Sequence, residues 1–140
     1  MSLGEMIAPI LGRLALAWFF LSDAYMRATE WNGTLALLAG KHLPAPAIIL
    51  FVALSAMILG GLSLLLGLRT KAGALVLFAL LIASTVLLHN FWVLQDAAER
   101  QAEYQLFIRN VAIAGGLLLL LGIGPGRFAA DNMKRRRGEH

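Results

Sequence analysis

Four ionisable side chains stand inside long apolar stretches or at their rims: Arg13, Asp23, His89 and Arg109. A charge in hydrocarbon is costly, so each is a functional candidate unless a partner or the headgroup region relieves it. Polar and aromatic neighbours accompany them: Tyr25 beside Asp23, Asn90 and Trp92 beside His89, and Asn110 beside Arg109. A carboxylate, an imidazole, a guanidinium and carboxamides at one depth, with Tyr25 and Trp92 as flat walls, make a binding pocket. It suits a quinone or another small ligand with an apolar tail. The same groups also read as an interfacial salt bridge that pins the helices, with Asp23 paired to Arg109 or Arg27. Arg13, near the start of its apolar run, reads as a membrane anchor that snorkels to the surface.

Other chemistries lack their residues. No phosphate loop, nucleophile elbow or pair of catalytic carboxylates is present. His89 has no second ligand at metal spacing, so no metal site is expected, and His42 beside a proline turn reads as solvated. There is no Cys, which removes thiol–disulfide chemistry and thiolate-held clusters. No intrinsic cofactor is expected.

The elements that position these residues are membrane helices. The chain is 59% apolar and 14% charged, against about 45–50% and about 25% in soluble domains. Lipid must cover that excess. Spans are expected at about 7–25, 46–68, 72–92 and 106–123, each long enough for about 30 Å of hydrocarbon. The first is read as a retained helix, because Glu5 stands where a signal peptide carries basic residues. Thr34–Ala39 is too short to cross and reads as a short helix at the interface, with Trp31 at headgroup level. Residues 95–105 read as a polar loop or short helix outside the bilayer. The expected fold is an all-α, polytopic four-helix bundle over residues 1–127, followed by a basic tail over 128–140.

Ile58-Leu-Gly-Gly-Leu-Ser-Leu-Leu-Leu-Gly67 recurs as Ile113-Ala-Gly-Gly-Leu-Leu-Leu-Leu-Leu-Gly122. Gly60, Gly61 and Gly67 match Gly115, Gly116 and Gly122, and all six are expected at close helix–helix contacts. The match suggests a weak two-hairpin internal repeat with its axis along the membrane normal.

The net charge of +4 is concentrated in the Arg69/Lys71 turn and the Lys134-Arg-Arg-Arg137 tail. The positive-inside rule places both, and both termini, in the cytoplasm. The tail lacks a folded nucleic-acid module, so anionic lipid, not nucleic acid, is its expected partner.

The order of motifs resembles the DoxX family of small bacterial membrane proteins. The resemblance rests on Arg13 with Phe19-Phe20, Leu43-Pro-Ala-Pro46, Gly60-Gly61…Gly67-Leu-Arg-Thr, Phe107-Ile-Arg-Asn110, Gly115-Gly116, Gly124-Pro-Gly126 and Asp131. It implies a four-helix protein of the bacterial inner membrane. It further implies a small non-catalytic subunit of a redox complex, of the thiosulfate:quinone oxidoreductase type, touching quinone while partner subunits supply the chemistry. Met57 stands where those proteins often have Glu, and Asp23 where they have a small residue. A binding or transport protein for a small hydrophobic molecule, and a structural assembly factor, are the alternatives. Homo-oligomerisation is left open.

Overall fold

In the computed structural model, residues 2–124 and 137–138 are described. The chain forms α1 (Leu3–Thr29), α2 (Trp31–Gly40), α3 (Pro46–Leu66), α4 (Thr70–Leu88), a 3-10 turn (Phe91–Val93) and α5 (Ala97–Ile123). There is no strand among the described residues. Four helical segments are long and apolar enough to cross a membrane: Leu3–Thr29, Pro46–Leu66, Thr70–Val93 and Ala97–Ile123. The protein is a polytopic membrane helical bundle.

The helix ends follow local chemistry. At the start of α1, the Ser2 hydroxyl accepts from the Glu5 N–H while the Glu5 carboxylate accepts from the Ser2 N–H. This capping box satisfies two of the donors that a helix start leaves open. The helix therefore begins four residues earlier than the apolar pattern alone suggests, and it continues past position 25 to Thr29. Pro46 opens α3, where a missing N–H costs nothing. Gly67 closes it in the left-handed region, at φ 71°. Asp96 caps α5 by accepting from the Ala98 N–H. The acidic stretch, read as a loop or a short helix outside the bilayer, is thus helical and forms the first turns of α5, continuous with the span. By contrast, α4 stops at Leu88, so His89 and Asn90 lie beyond its end.

Around the bundle α1 packs on α3, α3 on α4, and α4 on α5, with α5 closing more lightly onto α1. The short helix α2 packs on α3 and α1 at one end. Phe20, Leu50, Leu64, Leu77 and Leu117 form the fully enclosed centre. The outer surface is equally apolar: Trp18 and Ile123 are each 77% exposed and Leu59 69%. Such a surface is stable only against lipid, so the bilayer is a partner of this fold.

The glycine repeat divides in two. A Cβ at Gly60 would lie 2.6 Å from Leu77 Cγ, and one at Gly61 would lie 2.8 Å from Leu21 Cδ2. Those glycines admit the neighbouring helices. In the second copy Gly115 and Gly122 meet nothing within 4 Å, and Gly116 meets only Leu16, at an ordinary 3.6 Å. Gly67 serves the turn. The expectation of six packing glycines is therefore corrected to Gly60 and Gly61, with Gly116 in ordinary contact. Gly73, absent from the repeat, is the third tight position: a Cβ there would collide with the Ser63 side chain. The Ser63 hydroxyl hydrogen-bonds the Leu68 and Arg69 carbonyls and so ties the α3–α4 turn.

The Pro125-Gly126 break, Asp131 and Lys134 to Arg136 of the basic tail lie outside the described residues.

Candidate functional site

A cavity of about 140 Å³ lies between the helices, with α2 across one side. Its walls are mostly apolar: Phe20 from α1, Leu38 from α2, Leu50 and Met57 from α3, Leu81 and Leu88 from α4. Asp23, Arg27, His89, Arg109 and Asn110 also line it. Of the seven pocket residues expected from sequence, Asp23, His89, Arg109 and Asn110 share this cavity, whereas Tyr25, Asn90 and Trp92 do not.

The reasons for those three absences are local. Tyr25 follows the buried Ala24 on α1 and points away from the core, 71% exposed. Asn90 turns outward to accept from Lys41 Nζ at 2.9 Å, joining the α4–α5 connection to the end of α2. Trp92 stacks edge-on against Phe91 and Phe107, and Tyr104 completes that aromatic group on Phe91. These rings form a cluster at the bundle end, the location where amphipathic rings favour the headgroup level.

Of the two partners expected for Asp23, Arg27 and Arg109, the structure pairs it with Arg27. Asp23 Oδ2 accepts from Arg27 Nε at 3.1 Å, one turn along the same helix. No ion pair joins Asp23 to Arg109 among the described residues. The physical reason is the length of α1. With the helix continuing to Thr29, Asp23 has an i+4 neighbour on its own face and is no longer at the helix end. His89 Nδ1 meets Glu103 Oε2 at 2.7 Å. Glu103 falls in the stretch expected as a loop or short helix apart from the span, and the continuity of α5 brings it to His89.

Arg109 is held by a chain of neutral groups. The Thr85 hydroxyl donates to the Leu81 carbonyl at 2.6 Å, and Asn110 Nδ2 donates to Thr85 Oγ1 at 2.9 Å. Asn110 Oδ1 then accepts from Arg109 Nε and Nη2, at 3.3 and 3.2 Å. The guanidinium carbon also lies 5.4 Å from the Phe19 ring centre, a cation–π distance. Thr85 and Asn110 are 3% and 4% exposed, so the anchor of this chain is inside the protein. Thr85 was not marked by the sequence. Its signal was its place on the buried face of α4, with Leu77, Leu81 and Leu88.

Arg13 is buried, at 5% exposure, which corrects the snorkelling anchor. It shares the inward stripe of α1 with Ala17, Phe20 and Ala24. It lies ten residues into a helix that starts at Leu3, about 15 Å along the axis. Among the described residues no group of three or more His, Cys, Asp or Glu is placed to hold a metal.

Comparison with known proteins places this architecture. The chain is 25% identical to the inner membrane protein YphA of Escherichia coli over 87% of its length and 86% of that protein's. It is 25% identical to the inner membrane protein YqjF of the same organism, over 95% and 96%. A Surfeit locus protein 4 homolog of Schizosaccharomyces pombe is 31% identical over 50% of this chain and 24% of its own length. No solved structure matches the chain. With four apolar spans and two inner membrane relatives of its own size, the protein is a multi-pass inner membrane protein. The DoxX resemblance is overturned, because the family model that matches, over residues 45–137, is a different one. Gly–Leu repeats and a basic turn are what membrane helices of many families need, so those motifs did not discriminate. The chain belongs to the SURF4 family.

Proposed function

We propose that this protein binds a small molecule with an apolar body and a polar head, and that it works as a binding or carrier protein. The observation that carries this reading is the cavity itself: apolar walls from α1 to α4, with polar groups from α1 and α5 also lining it. Ligand sites have that composition, a mostly apolar lining with a few oriented polar groups. Among the described residues these polar groups have partners: Asp23 with Arg27, Asn110 with Thr85 and Arg109, and His89 with Glu103. A quinone belongs to the ligand class considered. The redox-subunit reading rested on the DoxX resemblance and loses that support.

The test is to fill the cavity. Ala53 lines it from α3, whereas neighbouring Val52 is 59% exposed on the lipid side. Radiolabelled decanoate and a decyl-substituted quinone would be titrated onto protein in phosphatidylcholine nanodiscs, with empty nanodiscs subtracting partition. Saturable binding of at least one ligand is expected. Ala53→Phe should weaken it about tenfold or more, and Val52→Phe should leave it unchanged. Equal binding by the two variants would remove the cavity from the proposal.

A further inference from the structure

We infer that the cavity selects an anionic headgroup, a carboxylate or phosphate on an apolar tail, and that Arg109 is the residue that receives it. This rests on the binding role proposed above and adds the ligand's charge. Charge balance around the cavity is the first observation. Arg27 and Asp23 neutralise each other at 3.1 Å. His89 has Glu103 as its partner. Arg109 has only the neutral Asn110 carbonyl and the face of Phe19, with no carboxylate in ion-pair range among the described residues. Among the described residues, the lining therefore carries a cation, Arg109, with no carboxylate beside it.

Orientation is the second observation. A guanidinium has five N–H donors in a rigid fork. Asn110 engages one from Nε and one from Nη2, which leaves the remaining donors for a ligand. A fork presented this way matches the two oxygens of a carboxylate or phosphate, and a bond between ions is about twice as strong as one between neutral groups. The group is also pre-positioned. Leu81 carbonyl, Thr85, Asn110 and Arg109 form one continuous chain, its middle members buried, so little side-chain freedom is lost when a ligand arrives. A neutral head such as a quinone or an alcohol would take fewer bonds from the fork and leave the guanidinium without a counter-ion.

The test compares heads on a constant tail. Decanoate, decyl phosphate, decanol and a decyl-substituted quinone would compete for radiolabelled decanoate on the protein in phosphatidylcholine nanodiscs. Decanoate and decyl phosphate should compete at concentrations about tenfold or more below decanol and the quinone. Arg109→Gln should abolish that difference while leaving the weaker binding of the neutral chains, measured with radiolabelled decanol, in place. Replacing part of the phosphatidylcholine by phosphatidylglycerol distinguishes two sources of the same head. Loss of decanoate binding would assign the site to a bilayer phospholipid, and retained binding to a free amphiphile. Both results support an anion site. Equal competition by charged and neutral chains on the native protein would overturn the anion inference and leave the binding role standing. No saturable binding of any chain would overturn both. The comparison on the native protein decides the matter even if Arg109→Gln does not fold.

Discussion

Asp23 and Asn110 show why burial and partner matter more than formal charge. The Asp23–Arg27 pair joins two partly solvated side chains, 31% and 26% exposed, on one helix face. An i,i+4 pair of that kind contributes a few tenths of a kcal/mol up to about 1 kcal/mol. Asn110 is 4% exposed and joins α5 to α4 through Thr85. Replacing it by Ala removes that bond and deprives Arg109 of its acceptor, a cost of about 1–3 kcal/mol. Thermal unfolding in detergent should therefore show a lower midpoint for Asn110→Ala than for Asp23→Asn. The reverse order would mean that the Thr85–Asn110–Arg109 chain is not what holds α5 against α4.

The elements were legible to the extent that local pattern decides them. Four apolar runs became four membrane helices, and Thr34 to Ala39 lies in a short helix. Their ends were decided by caps that hydropathy does not register, as Ser2 with Glu5 and Asp96 show. Close packing also had to come from geometry, because identical Gly–Gly pairs in α3 and α5 face different surroundings. A leucine at Gly60 must displace Leu77, and overpacking of this kind costs about 1–3 kcal/mol or more. Gly60→Leu should lower the yield of folded monodisperse protein in detergent, whereas Gly115→Leu, with open space around it, should not. Gly73→Ala should behave like Gly60→Leu, because its new methyl meets Ser63 at the turn. Equal yields for Gly60→Leu and Gly115→Leu would show that helix α3 does not pack as described.

Across the whole molecule, an even number of spans puts the two ends of the bundle to different use. One end carries the start of α1 and the basic Arg69/Lys71 turn. The other carries α2, the aromatic group around Phe91, and the acidic start of α5. The positive-inside rule predicts that the first end faces the cytoplasm. A cysteine-free chain makes the check direct, with single cysteines at Gly4 and Ala97, both exposed. In intact cells Ala97→Cys should react with an impermeant thiol reagent applied from outside, and Gly4→Cys should react only after lysis. Outside labelling at Gly4 would invert the protein in the membrane and place the polar groups of the cavity toward the cytoplasm.

Composition and hydropathy alone determined that this chain crosses a membrane four times, because no fold of this size can bury 59% apolar residues without lipid. Span spacing also brought Asp23, His89, Arg109 and Asn110 to one level, since rise per residue is constant along a helix. Which of these face one another depends on helix rotation and helix length, and neither is written in hydropathy. The run-on of α1 past position 25 gave Asp23 its own Arg27, and the early start of α5 gave His89 its Glu103. The rotation of α1 sent Tyr25 to the outside and Arg13 to the inside. Among the described residues those pairings leave Arg109 without a carboxylate beside it, a result of tertiary packing that a residue list does not contain.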